Sequence, residues 1–288
     1  MPEPLFDEAA MARIRNLRLN AQRVQRGGAR GERLSRQFGA GQEFGAHRQY
    51  VQGDDLRRVD WNVYGRLDQL FVKLFELPGQ LRVLLVADDA PTMDFGAHSK
   101  WLAARRALAA VGLVALHGAE RVLACRLSDS KAEVFDGTGE SRLLDYFGAL
   151  ATRGAGAVAA PARSLFETRG RDSVLVLASD FQQREPALQL LSDARRAGAR
   201  AIAVCVHAAE ELNPRLDGFT RLQPVAAHDL KLRVDERVLA AYKEELAHWR
   251  EGTRRAVHGL GAALIELDSA DPIEPLIVDL VRAGVVKA

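Results

Sequence analysis

Asp88, Asp89, Thr92 and Asp180 are the side chains whose type and setting could hold a divalent cation. The apolar run Leu81–Ala87 reads as a buried strand and leads into Asp88-Asp89-Ala90-Pro91-Thr92, so carboxylates and a hydroxyl stand at its end. A second apolar run, Ser173–Ala178, ends in the same way on Ser179-Asp180. In an open parallel sheet, ligands bind outside the carboxyl ends of the strands where strand order reverses, and Asp88 and Asp180 are expected to face each other there. Hard cations such as Mg²⁺ and Ca²⁺ take oxygen ligands, the kind that facing aspartates and a nearby hydroxyl offer. The competing reading is that these residues cap turns and helix N-termini, whose exposed amides favour carboxylates and hydroxyls.

Known catalytic patterns fail on particular residues. A haloacid-dehalogenase-type phosphatase places its nucleophile after the first strand of such a sheet but needs Asp-x-Asp, and position 90 is alanine. There is no phosphate loop, no G-x-S-x-G elbow and no H-E-x-x-H, and Gly259-Leu260-Gly261 precedes a late strand instead of following one. The seven histidines show no ligand spacing, and His47 reads as a packing or hydrogen-bonding residue. No catalytic residue is assigned.

A second group of chemistry-bearing residues runs from Arg48 to Arg66. Asp54, Asp55, Arg57, Asp60 and Arg66 can neutralise one another around a turn that Gly53 permits, with Trp61 and Tyr64 anchoring the turn to the core. The alternative is a contact site for a partner, with arginine and aromatic residues as anchors.

The elements that must position these groups alternate. Runs at Leu81–Ala87, Arg121–Leu127, Ala132–Phe135, Ser173–Ala178, Ala201–Val206 and Ala262–Leu267 have the Val, Leu and Ile content of strands buried on both faces. Helical spacing fills Lys100–His117, Ser141–Ala151, Val158–Thr168, Pro186–Ala197, Val234–His258 and Pro272–Val281. The rhythm predicts an α/β fold, a doubly wound, mostly parallel sheet in strand order 3-2-1-4-5-6, with Ala132–Phe135 as an antiparallel edge. Phe219–Arg233 is expected to form a hairpin inserted at the sheet's edge. Met11, Ile14, Leu17, Ala21 and Val24 make a helical stripe, followed by the Gly/Arg-rich loop Arg26–Gly31. The expected division is residues 1–78, carrying the helix, the loop and the second charged group and packed on the main domain, and 79–288, carrying the sheet with its hairpin at about 218–235.

With 288 residues, 48% of them hydrophobic, the chain can bury one large core or a core with a satellite. Its longest apolar stretch, Ala107–Leu116, falls well short of the ~20 residues that span a bilayer, and the acidic, mixed N-terminus does not read as a signal peptide. Cys125 and Cys205 lie in interior strands, as buried thiols of a reducing compartment would, so the expected location is the cytoplasm. A net charge of +2 does not argue for nucleic acid, and the arginines of the first forty residues read as a solvated face.

The segments Glu43-Phe44, His47-Arg48-Gln49-Tyr50, Gly53-Asp54-Asp55-Leu56-Arg57, Asp60-Trp61-Asn62-Val63-Tyr64, Arg66-Leu67-Asp68 and Val72-Lys73 together resemble the signature of a bacterial family, domain of unknown function 58. The layout agrees from about Leu5 to Val281. The resemblance implies a von Willebrand factor A-like domain with family-specific elements, associated with AAA+ ATPases of the MoxR type and with no established catalytic activity. It also implies a metal-ion site of pattern D-x-S-x-S, completed by a threonine and a final aspartate. Asp88 matches the first aspartate, Thr92 the second hydroxyl and Asp180 the last aspartate. Ala90 replaces one hydroxyl, and Gly154-Ala155-Gly156-Ala157 holds none where relatives carry a threonine. Two ligands are thus missing, and the expectation is a weak or vestigial Mg²⁺ site. The functional expectation is a non-enzymatic interaction adaptor or assembly factor working with a MoxR-type AAA+ ATPase. Its contact residues would be Arg48, Asp54, Asp55, Arg57, Asp60, Arg66 and Asp89. A Mg²⁺-dependent ligand-binding domain is the alternative, and a metal-assisted phosphohydrolase a more distant one.

Overall fold

The computed structural model describes residues 5–12, 14, 43–49, 59–76, 82–118, 120–127, 135–137, 139–150, 173–214, 218–222, 230–272, 275–276 and 279. The chain divides into two compact units, one made of residues 1–23 with 81–288 and the other of residues 24–80. The expected first domain, 1–78, is therefore split. Leu5 and Ile14 are buried in the core of the larger unit, and Arg106 Nε donates to the Leu5 carbonyl at 2.7 Å. Apolar side chains on a short helix gain more from joining an existing core than from staying with their sequence neighbours.

The smaller unit contains the antiparallel strands β1 (Glu43–Gln49) and β2 (Phe71–Glu76), with helix α1 (Trp61–Leu67) between them in sequence. Asp60 starts the helix, its Oδ1 accepting from the amides of Asn62 and Val63 at 3.0 and 3.3 Å. Asp68 ends it in the left-handed conformation, φ 52°, which aspartate tolerates better than most residues.

The larger unit is an α/β sheet of six strands. β3 (Arg82–Ala87), β4 (Arg121–Arg126), β5 (Phe135–Gly137), β6 (Ser173–Ser179), β7 (Arg200–His207) and β10 (Ala263–Asp268) lie in the order β10-β7-β6-β3-β4-β5. This is the expected 3-2-1-4-5-6 order, and all pairings are parallel except β4 with β5. The edge strand begins where the sequence reading ended it: Phe135 pairs with Ala124 and Gly137 with Val122.

Helices cover both faces. Val83, Leu85, Val174, Val176, Ile202 and Val204 point to one, under α2 (Lys100–His117) and α3 (Glu140–Ala149). Leu84, Val86, Leu175, Leu177, Ala203 and Cys205 point to the other, under α4 (Arg184–Arg196) and the last turns of α6 (Glu236–Gly259). α2 is buried nearly all round, which its run of alanines permits. A Cβ at Gly112 would lie 2.6 Å from Leu143 Cδ2 and 2.9 Å from Leu85 Cδ1, so glycine sets the close approach of α2 to α3 and the sheet.

Two features depart from expectation. β8 (Gly218–Leu222) and β9 (Leu230–Val234) pair with each other in a separate two-stranded sheet and do not extend the main sheet. β10 takes the edge of β7, as the expected order has it, in continuous parallel register, Ala263 opposite Ile202 through Asp268 opposite His207. The second departure is α5 (Ala209–Leu212), a single helical turn after β7 that no periodicity in so short a segment could announce. No helix among the described residues is long and apolar enough to cross a membrane. The helix expected over 158–168 lies outside them, and of that expected over 272–281 residues 272, 275, 276 and 279 are described, the last three helical and 272 not.

Candidate functional site

The candidate site forms where β3 and β6 end side by side. Hydrogen bonding continues past the ends of β3 and β4, with the Asp88 amide donating to the Ala178 carbonyl at 2.9 Å and the Leu127 amide to the Ala87 carbonyl at 2.7 Å. Side chains therefore keep alternating between the two faces. Asp88 falls on the face of Leu84 and Val86, and Asp89 on that of Val83 and Leu85. On β6 the same alternation separates Ser179 from Asp180. The two aspartates expected to share one ion thus have different partners.

Asp88 is buried and bound on both oxygens. Its Oδ2 accepts from the Ser179 hydroxyl at 2.5 Å, and its Oδ1 from the Ala90 amide at 3.1 Å. Ser179 Oγ in turn accepts from the Phe181 amide at 2.9 Å. Burial pushes the Asp88 carboxyl from 3.8 up to about 6 against the opposing pull of these two donors, and the charges of Asp180 and Asp89 raise it further.

Asp180 is closed from the opposite face. Its Oδ1 accepts from the Gln182 amide at 3.1 Å, and its Oδ2 from Lys100 Nζ at 2.9 Å. Both aspartates thus brace the backbone two residues on, as the capping reading expected. Lys100, the first residue of α2, is only 1% exposed, and its ammonium reaches Glu211 Oε1 of α5 at 2.7 Å as well. Glu211 Oε2 accepts from the Ala208 amide at 2.8 Å, and its carbonyl accepts from the Tyr242 hydroxyl of α6 at 2.8 Å. The Phe95 ring lies 5.7 Å from the ammonium, within cation–π range. Asp89 and Arg126, at the end of β4, form a further buried pair at 4.0 Å.

The loop between β3 and α2 is hung on the same turn. Glu210 Oε1 accepts from the Ala97 amide at 2.9 Å, and that bond draws the Glu210 carboxyl below its ordinary value. Gly96, at φ +95°, sits so close that a Cβ would be 2.9 Å from Ala208 Cβ. Thr92, in the 3₁₀ turn Pro91–Met93, has its hydroxyl buried without a hydrogen-bond partner.

A divalent ion does not fit this arrangement. Such an ion needs oxygens converging on one point, whereas Asp88 is already taken by the Ser179 hydroxyl and the Ala90 amide and a buried ammonium lies against Asp180. The loop Gly154–Ala157 lies outside the described residues. Sequence reasoning missed Lys100, Arg126, Ser179 and Glu211. One signal was available: a lysine opening an apolar helix opposes the helix dipole and calls for a nearby carboxylate.

The signature residues meet a different fate. Asp60 is buried as the cap of α1, and its own amide donates to the Phe71 carbonyl at 2.8 Å. Trp61 and Tyr64 do not anchor to a core. They are 59% and 39% exposed and pack on each other edge to face, ring centroids 6.1 Å apart, with Leu67 61% exposed beyond them. A seven-residue helix held by its cap has one side free, and no residue of α1 is buried. Arg66 is exposed in its last turn, where a cation suits the dipole. The Arg48 backbone lies in β1 opposite Val72, and Asp54, Asp55 and Arg57 fall outside the described residues.

Two relatives from mycobacteria match part of the chain. The uncharacterized proteins Rv1480 of Mycobacterium tuberculosis and Mb1516 of Mycobacterium bovis are each 34% identical over 90 residues, 31% of this chain. The match spans only 28% of those proteins' length. Among solved structures, proximal thread matrix protein 1 from the mussel byssus aligns at 11% identity over 44% of this chain and 38% of its own. Its TM-score of 0.34 is too low for the likeness to bear on the fold. The profile described as "Protein of unknown function DUF58" matches residues 46–252, from within β1 through most of α6, and the chain belongs to that family.

Proposed function

We propose that this protein is a non-enzymatic interaction adaptor or assembly factor, built on a von Willebrand factor A-like domain and working with a MoxR-type AAA+ ATPase. The observation that carries the reading is α1, which presents Trp61, Tyr64 and Leu67 to solvent within the family signature. Exposed tryptophan and tyrosine are the residue types that dominate interface energetics, and contiguous exposed apolar surface calls for a partner. The non-enzymatic part is supported by the strand-end site, where Asp88 and Asp180 are engaged by Lys100, by backbone amides and by a Ser179 hydroxyl that is itself fully buried.

The test is a pull-down of a MoxR-type ATPase by the full chain, repeated with Trp61→Ala and Tyr64→Ala. Each substitution should weaken capture by at least tenfold and leave the melting temperature unchanged. Undiminished capture by both variants removes α1 from the contact, and failure of the wild-type chain to capture the ATPase removes the partner.

A further inference from the structure

We infer that Lys100 is a tethered cation, holding the strand ends and α5 together as a bound divalent ion would, so that the rim of the sheet keeps its shape without metal. The inference rests on the geometry around Lys100 and is independent of the adaptor reading, so either can fail alone.

An ammonium buried at the first residue of a helix is in an unfavourable place. The helix dipole repels it there, and removing it from water carries a large penalty unless carboxylates compensate. Asp180 follows β6 and Glu211 sits on the turn after β7, and the ammonium contacts both, at 2.9 and 2.7 Å. Lys100 itself belongs to the helix that follows β3. One positive charge therefore joins the segments after three neighbouring strands, on both sides of the point where strand order reverses.

The surroundings are built around the ammonium. The Phe95 ring lies over it, Glu210 holds the intervening loop through the Ala97 amide, and Gly96 allows that loop to approach Ala208. Among the described residues, Lys100 is shared by the carboxylates of Asp180 and Glu211, and Arg126 pairs with Asp89. With the ammonium removed, Asp180 and Glu211 would face each other uncompensated, and oxygen ligands left in that state attract a divalent ion. Lysine suits the tethered role because its charge is compact, carries three donors and cannot dissociate from the chain.

The experiment compares the full wild-type chain with Lys100→Met and with Lys100→Met/Asp180→Asn. Thermal melting is followed with and without millimolar Mn²⁺, and bound Mn²⁺ is counted by electron paramagnetic resonance. The wild type should bind no Mn²⁺ at this site and melt at the same temperature in both conditions. Lys100→Met should melt lower, gain at least tenfold in Mn²⁺ affinity and recover several degrees when the ion is added. The double variant should lose both the gain and the recovery. Wild-type Mn²⁺ binding that Asp180→Asn abolishes would overturn the inference, and so would a folded Lys100→Met chain indifferent to Mn²⁺. A Lys100→Met chain that folds under neither condition leaves the decision to the wild-type measurement: binding overturns the inference and its absence upholds it.

Discussion

The strand-end cluster and helix α1 show opposite uses of residues that look functional in a sequence. At the strand ends, Asp88, Asp180 and Lys100 are 5%, 2% and 1% exposed, and each is bound to groups of the chain itself. On α1 the large aromatic side chains are the exposed ones, and the charge beside them, Asp60, is buried as a cap. Charge density alone is thus a poor guide to a working surface. Buried charges must be compensated wherever they occur, so a charged cluster in a fold is first an internal balance sheet. An exposed tryptophan has no such internal reason to be where it is.

The contrast assigns the largest stability effect to Lys100. Lys100→Met leaves two carboxylates without their cation, and urea unfolding at pH 7 should register a loss of about 3–5 kcal/mol, the usual consequence of removing one partner of a buried pair. A loss below ~1 kcal/mol would mean that the pair behaves like a surface ion pair.

Asp88 should move stability the other way. Its carboxyl titrates at about 6 when folded and at 3.8 ordinarily, so the folded chain binds the proton more readily. That stabilisation is fully present below 3.8, and it is lost as the pH rises through 6. The contribution lost is about 3 kcal/mol. Asp88→Asn removes this pH dependence, and after a lost hydrogen bond worth about 1 kcal/mol it should leave the chain about 2 kcal/mol more stable at pH 8. Denaturation of both chains between pH 4 and pH 8 checks the sign. Equal curves at every pH would show that Asp88 is as well solvated in the fold as outside it.

Smaller effects are expected on the α1 side. Asp60→Ala deletes a helix cap and should cost about 1 kcal/mol, visible as faster amide exchange in α1. Trp61→Ala should change stability by less than about 0.5 kcal/mol, because the side chain is exposed, and a larger loss in a thermal melt would make Trp61 a packing residue.

Much of the architecture was legible because it follows from local composition. The runs Leu81–Ala87, Arg121–Leu127, Ser173–Ala178 and Ala201–Val206 are rich in Val, Leu and Ile, and each became a sheet strand within a residue or two of its expected bounds. Helix α2 begins and ends where its apolar spacing placed it, at Lys100 and His117, with the Ser99 side chain accepting from the Leu102 amide at 3.4 Å. The hairpin was legible as two extended pieces and misplaced as an edge, since periodicity describes a strand and says nothing about which neighbour it will pair with.

The candidate site was legible only in part, for the same reason. Asp88 and Asp180 could be placed at adjacent strand ends by the rule for parallel sheets, and both were found there. Their partners could not be read, because Lys100 meets residues 80 and 111 positions further along the chain, and Ser179 meets one 91 positions before it. Composition and periodicity therefore determined the main strands and helices, and the rule for doubly wound parallel sheets supplied the order of the strands. Only tertiary structure decided which face each carboxylate takes, which cation meets it and which aromatics stay in water. Those outcomes depend on desolvation and on contacts between distant segments, and neither exists until the sheet has closed.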